Sequence, residues 1–554
     1  MTTNETERPR RILIFHGYLL RGTGSNVYNA NLARVLVRLG HEVHLFSQEH
    51  HPEDFDFVDT VADYEGDQVH VRLQRNPRFA GRCTVYRPDI GGLLPVYVHD
   101  RYEGFKVRTF PELTDQELDR YISANVAAVR GVVASAAPQI ALANHVVMGP
   151  LILHRALGDS VPYAVKIHGS ALEYTVKPHP RFLPYAREGI LGARTVLVGS
   201  ENVAARLFAI LNEPSLVART RLGPPGVDVE AFTPRDQETN VAALHRLVER
   251  LATVERTGFS SSATKQLNIL AEHGVPEWPE LLAIQQQYDP AGIDERSPSN
   301  VAKLDPMGGP IVAFIGKLII SKGIDLLICA WPFVRARQPQ AKLVIIGFGN
   351  YRECLELLLR ALERGDLTAI RQIAQRGRAL EGGPIDRLAY VEAFLDGLVG
   401  LERDAYLHTT HDIRRSVIFT GRLDHEYLVD LLPAADVLVV PSTFPEAFGM
   451  VAAEAAASGT WPIVAAHSGL AEVAQALSEA VPAEHRTLLS FTVGPNAVRE
   501  IADRLNTWLA IPAEERERLT AAARRVAVER WSWQGVARTV LAACDGRLDE
   551  LPVP

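Results

Sequence analysis

Short apolar runs that alternate with amphipathic stretches constrain the fold of this chain more than any other feature. The run 11–16 (RILIFH) is typical of a buried parallel strand, residues 26–39 carry apolar side chains at helical spacing, and 42–46 (EVHLF) predicts the next strand. Asn26 stands where a helix cap is expected, and Gly40 stands where a helix ends. Such a strand–helix–strand unit opens a doubly wound α/β sheet.

The unit recurs in two series along the 554 residues. The first series continues with apolar runs at 140–144, 163–168 and 195–199, and the second has runs at 310–316, 342–347, 416–421, 437–442 and 461–465. A glycine–proline cluster at 223–226 separates them. We therefore predict an α/β protein with two Rossmann-like parallel-sheet domains facing a cleft, at residues 11–226 and 308–528.

Two stretches interrupt this rhythm. Residues 235–305 are polar and poor in strand signals, and residues 351–415 place long helical patterns between two predicted strands. We predict that both are helical insertions. Whether they only decorate the fold or form a surface for partners or oligomers stays open.

The composition excludes several classes of protein. A net charge of −8 argues against a general nucleic-acid binder. The four cysteines have no CxxC spacing, so neither a disulfide framework nor a thiolate zinc site is expected. Residues 1–10 are polar, and no run reaches the roughly 20 apolar residues of a membrane-spanning helix. We expect a cytoplasmic protein without a transmembrane segment.

The segment 441–459 (PSTFPEAFGMVAAEAAASG) carries the strongest chemical signal. It follows a predicted strand and opens a helix, whose free N–H groups and dipole favour an anion such as pyrophosphate. Glu446 precedes the helix and Glu454 lies about 12 Å further along its axis. Two such carboxylates can hold hydroxyls at opposite ends of one extended ligand. Alternatively they are a helix-dipole residue and a surface charge, but the alanines and valine around Glu454 disfavour a solvated position.

Other polar residues follow predicted strands. Lys317 and Lys322 lie in the loop after 310–316 and can bind one pyrophosphate from two sides. Alternatively they are solvated surface residues, as loop lysines usually are. His145 and His168 end two strands of the first series, where open sheets bind ligands. The glycine loop around Gly24 lacks the GxGxxG spacing, which disfavours a hydride-transferring dehydrogenase.

Taken together, these motifs resemble the signature of the family 4 glycosyltransferases. The features that carry the resemblance are Glu446 and Glu454 with seven residues between them, the Phe448–Gly449 pair inside, and 467–473 (HSGLAEV) beyond. The resemblance extends, with gaps at the two insertions, from about Arg11 to about Cys544. It implies a GT-B fold, a retaining transfer and a nucleotide diphosphate sugar as donor. It also implies that a C-terminal helix near 531–548 crosses back to the first domain.

The resemblance further implies a role for each matching position. His168, Lys317, Lys322 and Glu446 are the expected catalytic residues. Glu446 would hold the donor sugar, Glu454 the ribose, and the backbone at Arg422 and Leu423 the nucleobase. The remaining expected donor contacts are Gly24, Phe448, Gly449, Met450 and Val451, and the expected acceptor contacts are Asn26 and His145. Lysine at 317 replaces the usual arginine, and Ala171–Leu172–Glu173 replaces an expected aspartate after His168.

The implied mechanism is front-face transfer, in which no protein nucleophile, metal or cofactor takes part. A sugar-nucleotide epimerase or hydrolase of the same fold, and a noncatalytic sugar-nucleotide-binding scaffold, remain as alternatives. A uridine or guanosine diphosphate donor is expected. The sequence leaves the sugar and the acceptor open.

Overall fold

The computed structural model describes residues 8–66, 68–97, 104–289 and 291–554. The chain divides into two compact units. One comprises the chain up to Gly226 together with Trp531–Pro554, and the other comprises Val227–Arg530. Among the described residues, the helices are all too short or too polar to cross a membrane.

The first unit is built on a nine-stranded sheet with the strand order β11-β10-β9-β8-β1-β2-β5-β3-β4. A separate parallel pair, β6 and β7, accompanies it. The strands are β1 (Arg11–Phe15), β2 (Glu42–Phe46), β3 (Thr60–Glu65), β4 (Gln68–Gln74), β5 (Arg82–Arg87), β6 (Leu93–Val96), β7 (Lys106–Thr109), β8 (Ile140–Asn144), β9 (Tyr163–Lys166), β10 (Thr195–Val198) and β11 (Thr220–Leu222).

The strands predicted at 11–16, 42–46, 140–144, 163–168 and 195–199 are confirmed. The central ones are buried on both faces, which is why they read as continuous apolar runs. The stretch 60–109 was not predicted to contain strands. Its hairpin β3–β4 is antiparallel, and β4 lies largely exposed at the sheet edge, where its sequence QVHVRLQ alternates apolar and polar residues and forms no continuous apolar run.

The α-helices described between residues 8 and 226 are α1 (Gly24–Arg38), α2 (Asp115–Ala136), α3 (Gly149–Leu157), α4 (Leu183–Leu191), α5 (Glu201–Leu211) and α6 (Ser215–Arg219). The prediction that Asn26 caps α1 is wrong, because the N-cap is Thr23 and Asn26 lies buried inside the first turn. Gly40 follows the helix with a φ of 92°, a conformation that favours glycine.

The second unit has a six-stranded, fully parallel sheet with the order β14-β13-β12-β15-β16-β17. The strands are β12 (Ile311–Ile315), β13 (Lys342–Ile346), β14 (Val417–Gly421), β15 (Val437–Val440), β16 (Trp461–Ala465) and β17 (Ser490–Phe491). The five strands predicted in this half of the chain are confirmed. The order reverses between β12 and β15, and the carboxyl ends at such a switch point form a crevice for ligands.

The helices of the second unit fall into three groups. Residues 235–305 hold α7 (Gln237–Thr253), α8 (Ser261–Leu270), α9 (Trp278–Gln285) and α10 (Ser297–Val301). After α11 (Ile324–Arg337), residues 351–415 hold α12 (Arg352–Glu363), α13 (Leu367–Arg376), α14 (Ala389–Gly397) and α15 (Gly400–Thr409). The rest are α16 (His425–Leu431), α17 (Met450–Ser458), α18 (Ser468–Ser478), α19 (Ala497–Ala510) and α20 (Ala513–Trp531).

The last helix, α21 (Trp533–Asp545), belongs to the first unit. Its residues Val536, Val540 and Cys544 are buried in the same apolar core as α1 and the central strands. The Cys544 thiol also donates a hydrogen bond of 3.2 Å to the Ala141 carbonyl in β8. The C-terminal segment therefore completes the core of the N-terminal sheet.

Candidate functional site

Two loops at the carboxyl edge of the second sheet are joined to each other beside the switch point. The loop after β12 carries Lys317 and Lys322, and the loop after β15 carries Glu446. The Thr443 amide donates to the Ser321 carbonyl at 2.9 Å. Gly323, with a φ of 64°, approaches the Pro441 carbonyl so closely that a Cβ would lie 2.0 Å from its oxygen. Only glycine fits there, and the two loops are held as one surface.

Lys322 and Glu446 form an ion pair on this surface. The Ser442 hydroxyl donates a second bond to the same carboxylate oxygen, Oε1, at 2.7 Å. The side chains of Lys322 and Glu446 are 29% and 26% exposed, so a ligand can reach both. The structure thus brings together two of the four residues that the resemblance marks as catalytic.

Further hydrogen bonds fix the backbone around Glu446. The Glu446 amide donates to the Ser468 hydroxyl at 2.9 Å, and that hydroxyl lies 3.0 Å from His467 Nδ1. His467 Nε2 donates to the Ser442 carbonyl at 2.8 Å, so Nδ1 of the neutral ring accepts from Ser468. A chain of hydrogen bonds therefore runs from the Glu446 amide to the backbone carbonyl of Ser442, the residue whose hydroxyl binds the Glu446 carboxylate. The sequence analysis did not assign a role to Ser442, His467 or Ser468.

Helix α17 begins four residues after Glu446 and presents its N-terminus at the same edge. Its N-cap, Gly449, makes no side-chain cap hydrogen bond, and the first turn contains no acidic residue. A Cβ on Gly449 would lie 2.8 Å from Leu470, so the backbone is closely packed at this point. The N–H groups of Met450 and Val451 belong to the first turn, where an anion is favourable.

Glu454 lies one turn along α17 and is almost completely buried, with 4% of its side chain exposed. Its partner is His425, the first residue of α16, whose Nε2 donates to Glu454 Oε1 at 3.0 Å. The charge of Glu454 raises the pKa of His425 above its ordinary value, although burial of the imidazole opposes this. The buried carboxylate has the partner that its burial requires. Sequence reasoning missed His425, although it follows the predicted nucleobase loop directly.

The first insertion reaches the loop that was expected to hold the nucleobase. Ile293 pairs with Gly421 in an isolated antiparallel bridge, and the Arg422 amide donates to the Gly292 carbonyl at 3.2 Å. This amide is therefore already used within the protein. The Arg422 guanidinium lies 5.6 Å from the centre of the Phe348 ring, and Lys317 Nζ lies 5.9 Å from the same ring. Both cations therefore lie beside Phe348.

In the first unit, His168 belongs to a buried polar network at the ends of β1, β8 and β9. His168 Nε2 donates to Asn144 Oδ1 at 2.8 Å, and Asn144 bonds in turn to Asn29 at 2.8 Å. Asn29 Nδ2 lies 3.1 Å from His16 Nδ1, and His16 Nε2 donates to Asn26 Oδ1 at 3.0 Å. Since Asn26 also donates to the Arg21 carbonyl, its side chain is occupied internally.

His145 and Gly24 differ from that network. His145 is buried at a φ of 69°, and neither of its ring nitrogens has a hydrogen-bond partner among the described residues. Burial lowers the pKa of His16 to about 4 and the pKa values of His145 and His168 well below the ordinary range. All three imidazoles are consequently neutral near pH 7. The space beside Gly24 is open, because a Cβ at this residue would have no other atom within 4 Å.

Two family models match the chain. The model described as "Glycosyl transferases group 1" matches residues 298–369 and 399–526, and the model described as "Glycosyl transferase 4-like domain" matches residues 23–223. The gap in the first match lies inside the helical stretch 351–415. Between them the two models account for most of both units.

Curated relatives match parts of the chain. An uncharacterised glycosyltransferase from Methanocaldococcus jannaschii is 27% identical over 41% of this chain and 43% of that protein. Glycogen synthase from Mycobacterium tuberculosis is 33% identical over 41% of this chain and 48% of that protein. D-inositol 3-phosphate glycosyltransferase from Xylanimonas cellulosilytica is 25% identical over 68% of this chain and 63% of that protein. The chain thus spans less than half the length of the first two relatives.

Solved structures match nearly the whole chain. Sucrose-phosphate synthase from Thermosynechococcus elongatus has a TM-score of 0.51 at 19% identity and covers 98% of each chain. The catalytic domain of starch synthase IV from Arabidopsis thaliana has a TM-score of 0.54 at 13% identity, covering 97% of this chain and 99% of that one. At these identities the likeness concerns the fold, and it confirms the predicted GT-B architecture with two parallel-sheet domains.

Proposed function

The chain belongs to the GT4-type glycosyltransferases, and from this premise we propose that it is a retaining enzyme. It transfers a hexosyl-type sugar from a uridine or guanosine diphosphate sugar to an acceptor hydroxyl. The observation that carries the proposal is the cluster of Lys322, Ser442 and Glu446 beside the uncapped start of α17. The cluster combines acceptors for sugar hydroxyls with positive charge for a diphosphate.

The donor sugar is held at Glu446. Its carboxylate is a strong acceptor for sugar hydroxyls, and the Ser442 hydroxyl and the Ser468 bond to its amide keep it in one orientation. Lys322 pairs with this carboxylate and balances its charge. When a diphosphate arrives, Lys322 can contact a phosphate oxygen and Glu446 at the same time.

The diphosphate lies between the two lysines and the N-terminus of α17. Lys317 and Lys322 supply two positive charges, and the N–H groups of Met450 and Val451 supply donors in fixed positions. These groups stabilise the negative charge that develops on the departing nucleotide. Because the protein itself provides this charge, the proposed transfer needs no metal, and full activity in EDTA would support that part.

The nucleoside lies between Glu454 and the loop after β14. Glu454 binds the ribose hydroxyls while retaining His425 as its partner. Since the Arg422 amide already donates to Gly292, the base is read by Leu423 and the remaining backbone groups. Glu454 and Glu446 thus mark the two ends of the donor.

The reaction forms a bond between the acceptor oxygen and the anomeric carbon on the face that the phosphate leaves. The bond from the anomeric carbon to the phosphate oxygen breaks, and that oxygen takes the acceptor proton. Configuration is therefore retained without a protein nucleophile. His168 is neutral and uses its one N–H, at Nε2, to donate to Asn144, so its Nδ1 remains as an acceptor for a sugar hydroxyl.

The four cysteines are free and buried, which supports a reducing compartment. The cytoplasm is the proposed location. Secretion of the natural protein with oxidised cysteines would contradict it.

A donor screen tests the proposal. The chain is incubated with a panel of sugar nucleotides, and protection from thermal unfolding identifies the donor. Acceptors are then offered with that donor, and the anomeric configuration of the product is read by nuclear magnetic resonance. Inversion at the anomeric carbon would refute the retaining mechanism. Release of free sugar without transfer to any acceptor would indicate a hydrolase instead.

A further inference from the structure

A small cavity lies inside the second unit, away from the residues assigned to the donor. Phe259 and other residues of the first insertion form one wall, Arg352 and Glu356 of α12 form another, and Phe419 of β14 closes it. Its volume is about 150 Å³. At roughly 30 Å³ per water molecule, this is room for about five waters.

The lining of the cavity carries a surplus of positive charge. Four basic residues contribute to it, and only Asp294 and Glu356 oppose them, which leaves an excess of two positive charges. The basic residues are Arg296, Lys303, Arg352 and Arg414. Such a surplus is unusual in a protein with a net charge of −8. It favours an anion as the missing partner.

Arg352 shows the deficit of acceptors most directly. Its guanidinium packs between the rings of Phe259 and Phe419, 4.5 and 3.6 Å from their centres. Its terminal nitrogens donate to Asp294 at 3.2 Å and to Glu356 at 2.8 Å. Its Nε is buried and has no hydrogen-bond partner in the part of the chain that the structure describes, and 7% of the side chain is exposed. A buried donor of this kind is costly unless something accepts from it.

Arg360 lies two turns further along the same face of α12 and repeats the pattern. Its Nε and Nη2 are also buried, and no described residue forms a hydrogen bond with either nitrogen. Burial of Arg360 and the like charge of Arg414 lower its pKa. Arg414 itself faces Glu356 and Glu363 at 4.0 and 3.5 Å, distances too long for strong ion pairs. The carboxylates present do not satisfy this group of cations.

We propose that this cavity is a binding site for a small phosphate-bearing anion. Arg352 and Arg414 supply the charge, and Lys303 and Arg296 stand at the exposed side, where a ligand enters. The Ser260 hydroxyl accepts from the Ala263 amide and keeps its own proton for the ligand. The site is formed by the first insertion and α12, and its existence does not depend on the proposed transferase activity.

The size of the cavity limits what binds. A phosphate group fits, whereas pockets for drug-sized ligands start at roughly 300 Å³, so a nucleotide is too large to be enclosed. Inorganic phosphate and the phosphate group of a sugar phosphate share the required chemistry. The two are distinguished by whether an attached hexose strengthens binding at the exposed side.

Titration calorimetry with the full chain tests the site. Inorganic phosphate is titrated at constant ionic strength, and a hexose 6-phosphate is titrated in a second arm. The double variant Lys303→Gln, Arg414→Gln is expected to bind phosphate about a hundredfold more weakly, since each charged hydrogen bond lost corresponds to about tenfold or more. The single variant Lys303→Gln is used if the double variant does not fold, because Lys303 is exposed and its ammonium donates to the exposed side chain of Asn300 at 2.8 Å.

Two controls separate this site from others. Arg415→Gln removes a neighbouring exposed arginine that does not line the cavity, and it is expected to leave the affinity unchanged. Lys322→Ala removes a cation of the donor site and is likewise expected to leave it unchanged. Phosphate affinity that falls with Lys322→Ala but not with Lys303→Gln would overturn the proposal. So would the absence of any phosphate binding up to about 10 mM.

Discussion

Replacing His425 by alanine tests the structural meaning of the buried Glu454. In the folded protein, His425 is the partner that donates to Glu454 Oε1 at 3.0 Å. The variant leaves the carboxylate without this donor, while α16 keeps its other contacts. We expect a less stable second unit and a changed pH dependence of stability.

The magnitude follows from the exposure of the two groups. Removing one member of a fully buried ion pair costs about 3–5 kcal/mol. Here Glu454 is 4% exposed, but His425 is 51% exposed, so water screens the pair and reaches the carboxylate once the imidazole is gone. Discounted in this way, the expected loss is about 1–2 kcal/mol, close to a hydrogen bond to a charged group.

The sign of the pH dependence follows from the raised pKa of His425. A raised pKa in the folded state means that the charged imidazole stabilises the fold. This contribution is fully present below about 6.5, the ordinary pKa of histidine, and is lost as the pH rises through the folded value. The difference between the natural protein and the variant is therefore largest near pH 5.5 and smallest near pH 9.

Urea unfolding at about pH 5.5 and about pH 9 measures this difference directly. His411→Ala is the matched control. His411 is 86% exposed and lies 3.7 Å from Asp412, so this surface pair is expected to contribute little to stability. Two results would refute the reasoning: a loss that is the same at both pH values, or an equal loss in the control.

Three further outcomes are expected. Lys322→Ala should lower kcat/KM about a hundredfold, the usual effect of losing one group that stabilises developing charge. It should change the melting temperature little, because the pair with Glu446 is partly exposed and Glu446 keeps its bond from Ser442; steady-state kinetics and thermal melts check this. Ser468→Ala should lower kcat about tenfold without changing nucleotide affinity, since it removes a support of the Glu446 backbone rather than a donor contact; calorimetry beside kinetics separates the two. Stability should fall as the pH drops from about 6.5 toward 4, because buried histidines bind protons in the unfolded chain but stay neutral in the folded protein. Thermal melts across that pH range measure the change. The residues responsible are His16, His145 and His168.

The repeating units of the two sheets could be predicted because their signal is local. A strand buried on both faces is a short apolar run, and a helix beside it shows its period within four turns. The edge hairpin β3–β4 escaped prediction for the opposite reason. Its outer strand alternates two valines and a leucine with polar residues over seven positions, but it is exposed along most of its length and forms no continuous apolar run like those of the buried strands.

The residues that support the candidate site could not be predicted from spacing. His425 and Glu454 are 29 positions apart, and Ser442 and His467 are 25 apart, so their contacts arise only when three loops meet at one sheet edge. A histidine or serine in a loop has no local signature. What the sequence offered was the carboxylate, whose apolar neighbours predicted burial and therefore a partner, without naming it.

The first insertion changes how the donor site has to be understood. From sequence, residues 235–305 were separable from the nucleobase loop, because no pattern links them. In the folded protein, the Gly292 carbonyl accepts a hydrogen bond from the Arg422 amide, and Ile293 pairs with Gly421. The insertion therefore packs directly against that loop. Asp294, the next residue of the insertion, lines the cation-lined cavity and accepts a hydrogen bond from Arg352. The first insertion therefore connects the proposed nucleobase loop with the proposed anion cavity.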